Sequence, residues 1–248
     1  MRSLYVHFFW SLTLFIISLF RFVVISLNFY FLSSIFISFS IFRFWNLSFS
    51  LIFSIDWISI SFISCVSLIS RVIYFYSYNY ISSYTKSYYF TWLTIGFVFS
   101  MFIIILMSDL FFCMLGWDGL GLMSFLLIAY YQNVNSIFNR IYTLLINRIG
   151  DCFFIISIVV CFRFSDRLNF ITLSHSELNL ISLILLLTFI TKRALYPFSF
   201  WLPLAISAPT PISALVHSST LVTSGLYLII RFYNLFYINS LIINSLPL

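Results

Sequence analysis

The chain has 248 residues, of which 62% are hydrophobic and only 7% are charged, with a formal net charge of +6. A soluble domain carries roughly 25% charged residues on a surface that faces water, so this composition excludes the soluble globular classes. The basic residues stand singly between apolar runs, which argues against nucleic acid as a partner and favours anchoring at lipid head groups.

Long, continuous apolar runs predict an all-α integral membrane protein, because a helix needs about 20 apolar residues to cross a bilayer and satisfies its own backbone. Charges, prolines and polar clusters divide these runs into about eight predicted spans. In chain order they are 4–25, 27–45, 57–77, 88–108, 110–131, 137–162, 178–196 and 209–232. Arg2 and the run Val6–Leu19 have the outline of a signal peptide, but no small-residue cleavage site follows, so the first span is expected to be retained.

An aspartate lies deep in the predicted fifth span, within Leu115–Gly121 (LGWDGLG). A charge inside a bilayer costs roughly 2.5–3.5 kcal/mol on insertion scales, so such residues are rare and usually paired or functional. The glycines around Asp118 lack the preceding strand and the GK[ST] ending of a phosphate loop. They instead allow a neighbouring helix to approach closely. The alternative is a carboxylate at a helix end that reaches back to water.

The predicted sixth span contains both an acid and a base. Arg148 and Asp151 are three residues apart, so they share a helix face and can form an ion pair. Asn147 lies four residues before Asp151, on the same side. The sequence leaves two interpretations open, an inert pair that neutralises its own charges and a part of a functional network.

A lysine ends the apolar stretch of the predicted seventh span. Lys192 follows Ile181–Ile190, and Pro197 and Pro203 come shortly after it. Proline breaks a helix, so the seventh helix is predicted to be broken just beyond Lys192. Transporters place ion-handling groups at broken helices, and a buried lysine can release its proton whereas an arginine cannot. The alternative, a basic anchor at a span end, fits the adjacent Arg193 better.

The predicted eighth span carries a polar stripe. Ser213, His217, Thr220 and Ser224 are spaced four, three and four residues apart, which places them on one helix face. Serine and threonine on such a face often only bond to neighbouring helices. A histidine in the middle adds a group that can pass a proton near neutral pH. Together with Asp118 and Lys192 of the earlier spans, this stripe provides the side chains that a proton relay requires.

The sequence predicts no bound metal or redox cofactor in this chain. Its cysteines, Cys65, Cys113, Cys152 and Cys161, form no CxxC pair and have no histidine at ligand spacing. No Gly-x-Gly-x-x-Gly run is present for a nicotinamide or flavin.

Four motifs carry a resemblance to a known family. They are Leu115–Leu127 (LGWDGLGLMSFLL), Asn147–Asp151 (NRIGD), Lys192 with Pro197–Pro203 (PFSFWLP), and Ala208–Val222 (APTPISALVHSSTLV). The chain resembles the antiporter-like subunits of respiratory complex I, and the His-Ser-Ser-Thr run is similar to the mitochondrial subunit-5 branch of that family. The matched stretch runs from about residue 54 to residue 232.

The resemblance implies roles for particular residues. Asp118 stands where the family has a carboxylate, often glutamate, that pairs with a lysine. Lys192 stands at that lysine, the proposed proton-releasing centre, and His217 at the histidine that carries protons onward. Arg148 and Asp151 match a further family motif. Aspartate at position 118 is one methylene shorter than glutamate, which puts the distance of the pair in question.

The resemblance also implies a function. It predicts a proton-translocating membrane-arm subunit of NADH:ubiquinone oxidoreductase, multi-pass in the mitochondrial inner membrane, without redox chemistry of its own. FMN and iron–sulfur clusters are expected elsewhere in the complex, and the expected partners are other membrane-arm subunits and lipid. Two alternatives remain, a subunit of a multi-subunit cation/proton antiporter, which shares these motifs, and a structural membrane scaffold.

The chain is short for that family, whose subunits contain two inverted five-helix repeats. The predicted domains are 1–56 with spans one and two, 57–87 with span three, 88–232 with spans four to eight, and the short tail 233–248. Spans four to eight correspond to the first repeat. The second repeat is therefore expected on a second polypeptide.

Overall fold

The architecture is mainly helical, with one small sheet near the N-terminal end. A computed structural model of the chain describes residues 10, 12–14, 16, 18, 35–44, 47–81, 87–130, 134–164, 175–205, 210–215 and 221–237. The strands are β1 (Ile35–Phe44) and β2 (Leu47–Ile55). The helices are α1 (Trp57–Ile81), α2 (Ser87–Leu106), α3 (Leu110–Ile128), α4 (Val134–Phe164), α5 (His175–Arg193), α6 (Trp201–Ala205), α7 (Thr210–Leu215), α8 (Leu221–Arg231) and α9 (Tyr233–Tyr237).

Four of the described helices are long and apolar enough to cross a membrane. Their membrane-length segments are Trp57–Ser77, Tyr88–Leu106, Leu110–Ile128 and Ser136–Arg163. These segments are the predicted third to sixth spans, with ends that differ by up to three residues. The fifth long helix, α5, covers most of the predicted seventh span and ends at Arg193.

The predicted second span, 27–45, is wrong over its last part. Residues 35–44 form β1, which pairs with β2 in an antiparallel hairpin whose register joins Ile35 to Ile55 and Phe44 to Leu47. The sequence of β1, IFISFSIFRF, is rich in β-branched and aromatic residues that alternate with serine, a pattern typical of a strand. The inter-strand ladder pairs the backbone groups of β1 that face β2.

The hairpin is attached to the loop between α2 and α3. Phe53 forms a β-bridge with Met107. The Ile52 carbonyl accepts hydrogen bonds from the amide and the hydroxyl of Ser108, at 3.1 and 3.0 Å. The Ile52 amide in turn donates to Oδ2 of Asp109 at 3.2 Å. These contacts attach the loop to β2 through one isolated bridge and three hydrogen bonds.

Close contact between helices depends on glycine at two positions. A Cβ at Gly116 of α3 would lie 2.7 Å from Cγ1 of Ile104 and 2.9 Å from the carbonyl oxygen of Ser100, both on α2. A Cβ at Gly150 of α4 would lie 2.2 Å from Oγ1 of Thr191 on α5. Small residues let helix backbones approach in this way in membrane bundles, so α3 packs closely against α2 and α4 packs closely against α5.

The predicted eighth span, 209–232, is only partly described. The structure contains α7 and α8 within it, and residues 216–220 lie outside the described part. Most of the predicted first span and most of the tail 233–248 also lie outside the described residues. The predicted count of eight spans and the predicted domain limits therefore stay predictions.

Candidate functional site

Lys192 is completely buried in the last turn of α5. Its side chain has 0% exposure, and Nζ donates a hydrogen bond to the backbone carbonyl of Trp117 at 2.6 Å. The same Nζ lies 4.4 Å from the centroid of the Trp117 ring, in a cation–π contact. A buried ammonium group needs such partners because its desolvation is costly.

Trp117 provides a rigid surface for the lysine. The indole is fully buried and packs against Phe154 of α4 and Phe189 of α5, with ring centroids 5.5 and 6.0 Å apart. Gly121 lies one helical turn after Trp117, and a Cβ at this position would be 3.7 Å from Nζ. The helix face of α3 that carries Trp117 and Gly121 therefore forms one wall of the lysine site.

The carboxylates near the lysine share one arginine. Nη1 of Arg148 lies 3.3 Å from Oδ2 of Asp151 and 3.8 Å from Oδ1 of Asp118. Asp118 is thus paired with Arg148, and within the described residues no ion pair of 4.0 Å or less joins it to Lys192. Both carboxylates lie close enough to Lys192 to attract its ammonium group electrostatically. Asp151 is the more buried acid, with a side-chain exposure of 6% against 33% for Asp118.

Three acceptor atoms of this cluster have hydrogen-bonding capacity to spare. They are Oδ1 of Asp118, Oδ1 of Asn147 and Oδ1 of Asp151, each buried and without a hydrogen-bond partner in the described part of the chain. Buried polar atoms of native proteins nearly always have a partner, protein or water. These three oxygens are therefore the acceptors of the cluster that the described protein groups leave for water or a further donor.

The polar stripe of the predicted eighth span is represented by its two ends only. Ser213 on α7 donates to the carbonyl of Thr210 at 2.9 Å. Ser224 on α8 is buried and donates to the carbonyl of Leu221 at 2.7 Å. His217 and Thr220 lie outside the described residues, so the roles predicted for them stay predictions.

Two features of the site were not predicted from the sequence. The first is Trp117, which contacts Lys192 through its carbonyl and its ring. The sequence signal available for it was that Trp117 and Gly121 are four residues apart and therefore lie on one face of α3. Arg231 forms an ion pair with Asp56, which joins the end of α8 to the residue just before α1. In the described residues no group of three His, Cys, Asp or Glu side chains is placed to hold a metal ion.

Sequence comparison relates the chain to membrane subunits of energy-converting complexes. The family described as NADH:quinone oxidoreductase/Mrp antiporter, transmembrane, matches residues 107–247. NADH-ubiquinone oxidoreductase chain 5 of Aedes aegypti is 41% identical over 236 residues, which cover 93% of this chain and 39% of the relative. The same-named protein of Locusta migratoria is 46% identical over 185 residues, 73% of this chain and 32% of the relative. The chain thus spans between about a third and two fifths of the length of these two relatives.

One shorter relative is matched over most of its length. NADH-ubiquinone oxidoreductase chain 5 of Anopheles quadriannulatus is 41% identical over 227 residues, which cover 90% of this chain and 83% of the relative.

Solved structures of membrane complexes share the fold, among them an Mrp complex and a sulfane sulfur reductase. The Mrp complex from Dietzia sp. superposes with a TM-score of 0.66 at 24% identity, covering 79% of this chain and 23% of that chain. The membrane-bound sulfane sulfur reductase, an archaeal respiratory membrane complex, superposes with a TM-score of 0.77 at 16% identity, covering 98% and 53%. At these identities the likeness concerns the fold alone.

Proposed function

Since the chain belongs to the NADH:quinone oxidoreductase/Mrp antiporter transmembrane family, we propose that it is a proton-translocating subunit of the membrane arm of respiratory complex I. The observation that carries the proposal is the fully buried Lys192 beside two carboxylates that share Arg148. An ionisable group inside a membrane bundle is costly and is kept where charge or protons move. Amine chemistry suits this role because a lysine can lose its proton and regain it.

The proposed mechanism is a change of partners around Arg148. In the arrangement described, Arg148 holds Asp118 and Asp151, while the Nζ ammonium of Lys192 rests on the Trp117 carbonyl. A signal from quinone chemistry elsewhere in the complex moves Arg148 from one carboxylate to the other. Because Lys192 feels both negative charges, this movement changes its affinity for a proton.

The proton then leaves Lys192 towards the polar stripe of the predicted eighth span. His217 is the proposed carrier, with Ser213, Thr220 and Ser224 as supporting hydroxyls along the same face. Asn147 supports the cluster from α4, where its buried Oδ1 has no hydrogen-bond partner in the described part of the chain.

The proposal extends to the setting of the chain. We place it as a multi-pass protein of the mitochondrial inner membrane with about eight spans, in contact with other membrane-arm subunits and lipid. Flavin and iron–sulfur clusters are assigned to other subunits, so this chain contributes proton movement without redox chemistry.

Replacement of Lys192 tests the proposed function. In the assembled complex, reconstituted in proteoliposomes, Lys192→Met is expected to lower the number of protons translocated per electron while the complex still oxidises NADH. Arg193→Met is the matched control, because it removes one positive charge from the same helix end and leaves the titratable amine. An unchanged proton-to-electron ratio in Lys192→Met would exclude this lysine as the carrier and favour a structural scaffold.

The second candidate is a multi-subunit cation/proton antiporter, since the matching family includes both kinds of complex. The two candidates differ in what accompanies the chain. Flavin and iron that co-purify with the native assembly support complex I, and their absence from an intact assembly that exchanges Na⁺ for H⁺ supports the antiporter.

A further inference from the structure

The last turn of α5 is held by an indole from the segment that follows it. Nε1 of Trp201 donates a hydrogen bond to the carbonyl oxygen of Thr191 at 2.9 Å, and Trp201 is buried, with 1% exposure. The last carbonyls of a helix have no partner within the helix and must find one elsewhere. Trp201 provides that partner for Thr191, the residue directly before Lys192.

The backbone beyond Lys192 closes the same turn. Ala194 has a φ of 55°, the left-handed conformation that commonly ends a helix. The Leu195 amide donates to the carbonyl of Ile190 at 3.3 Å, and the Ala194 amide donates to that of Thr191 at 3.4 Å. These two bonds are the Schellman pair. The Thr191 carbonyl is therefore held by the Schellman turn and by Trp201 together.

Helix α4 supports Thr191 from another direction. The Thr191 side chain is fully buried, and Oγ1 donates to the carbonyl of Thr188 at 2.7 Å. Gly150 lies directly against it, because a Cβ at this position would be 2.2 Å from Oγ1 and 3.2 Å from the Thr191 Cβ. Gly150 is next to Asp151, so the backbone that carries one of the two acids lies against the turn that carries the lysine.

We propose that Trp201 is a positioning residue for Lys192. The carbonyl of Thr191 and the amide nitrogen of Lys192 belong to one planar peptide unit. A hydrogen bond that fixes this carbonyl also fixes the plane from which the Lys192 side chain starts. Trp201 thereby keeps Nζ on the Trp117 carbonyl and at a constant distance from the two carboxylates. This inference rests on the proposed function, in which Lys192 carries the proton.

The test compares two buried aromatic donors in the assembled complex. Trp201→Phe removes the N–H and keeps an aromatic ring. The matched control is Tyr227→Phe, which removes an equivalent bond, from a buried hydroxyl to the carbonyl of Ile105 near the end of α2, at 2.8 Å. Trp201→Phe is expected to slow proton translocation roughly three- to tenfold, the worth of one buried hydrogen bond, and to displace its pH optimum. Tyr227→Phe is expected to keep the wild-type pH optimum.

A second variant approaches Thr191 from α4. Gly150→Ala pushes on Oγ1 while Trp201 stays intact, so it is expected to displace the pH optimum in the same way. Thr191→Ala removes Oγ1, the atom with the severe overlap, and the double variant Gly150→Ala/Thr191→Ala is expected to recover towards wild type. If Trp201→Phe does not assemble, an unchanged pH optimum in Gly150→Ala would still overturn the inference, because Trp201 is proposed to act through the position of Thr191.

A readout that does not depend on pumping separates this inference from the proposed function. Amide hydrogen exchange of the last turn of α5, residues 188–193, is expected to be faster in Trp201→Phe than in Tyr227→Phe. Equal exchange and equal pH profiles in the two variants would overturn the inference, even where Lys192→Met abolishes pumping. Faster exchange with unchanged pumping in Lys192→Met would contradict the proposed function and leave the role of Trp201 in holding the turn.

Discussion

Asp109 is an acid whose environment differs from that of the charges inside the spans. It lies in the loop between α2 and α3, where its carboxylate accepts a hydrogen bond from the Ile52 amide at 3.2 Å. Burial raises the pKa of Asp109 from its ordinary 3.8 to about 6, against a smaller lowering by the Ile52 hydrogen bond. The folded state therefore binds more protons than the unfolded state between pH 4 and 6, roughly.

The sign of this pKa shift gives a prediction about the hairpin. The stability that Asp109 contributes is fully present below its ordinary pKa of 3.8 and is lost as the pH rises through about 6. Asp109→Asn keeps an oxygen acceptor for Ile52 and cannot ionise. The backbone amides of the hairpin are therefore expected to be equally protected from exchange below the ordinary pKa of 3.8 and above the raised pKa of about 6. The measurement is amide-exchange protection of residues 47–55 in the purified complex, corrected for intrinsic rates. Ser108→Ala is the control, because it weakens the same contact but leaves the pH dependence of wild type.

The residues of the site were predictable where the sequence makes them conspicuous. Lys192, Asp118 and Asp151 stand out because charges are rare in apolar spans, and the i, i+3 spacing already joined Arg148 to Asp151. The sequence could not show that Arg148 also reaches Asp118, since that contact depends on how α3 packs against α4. For the same reason it could not show that Nζ bonds to a backbone carbonyl, which carries no signal in the residue type.

Among the elements, the ends of α1 and α8 are joined by a charge pair. Arg231 is in the last turn of α8, and Asp56 directly precedes α1. The side chains of both are largely buried, with 13% and 15% exposure. The amide of Ile60 and the hydroxyl of Ser59 both donate to the Asp56 carbonyl, at 3.0 and 2.7 Å, which fixes the backbone at the helix start. The pair therefore connects two elements that lie far apart in the chain.

A double-mutant cycle measures this connection. Asp56→Asn and Arg231→Gln are each expected to destabilise the bundle by about 3 kcal/mol or more, because each leaves the other charge buried and unpaired. The double variant is expected to lose clearly less than the sum of the two, since no unpaired charge remains. The measurement is thermal unfolding of the purified complex. Proton pumping that depends on Lys192 is expected to be unchanged in all three variants. Strictly additive losses would mean that the two side chains do not interact.

The long helices could be predicted from the sequence, whereas the strand at residues 35–44 was not. Helices α1 to α4 were predicted to within a few residues, because a continuous apolar run of about 20 residues has few other stable forms in lipid. The run 27–45 has a similar length, yet residues 35–44 form a strand. Its alternation of serine with isoleucine and phenylalanine was the signal for a strand, and a count of apolar residues does not register alternation.

At the scale of the whole molecule, the family could be recognised from the sequence while the assembly could not. The motif around Asp118 and the run through His217 are long ordered strings, and the family match over residues 107–247 includes them. Packing of α3, α4 and α5 then places the lysine and both acids in one cluster. The identity of the subunits that pack against this bundle is determined by other polypeptides, so it cannot be predicted from this sequence.

The composition of the native assembly provides the last prediction. The chain covers 39% and 32% of the length of two relatives named NADH-ubiquinone oxidoreductase chain 5. A proton leaving Lys192 needs a further titratable group before it can exit, so an intramembrane lysine or acid is expected in the part of the complex that packs against α5. Intact-mass and peptide mass spectrometry of the purified complex, combined with cross-linking to α5, identifies the polypeptide that carries it. A complex without such a residue next to α5 would contradict the role of Lys192 as the proton carrier.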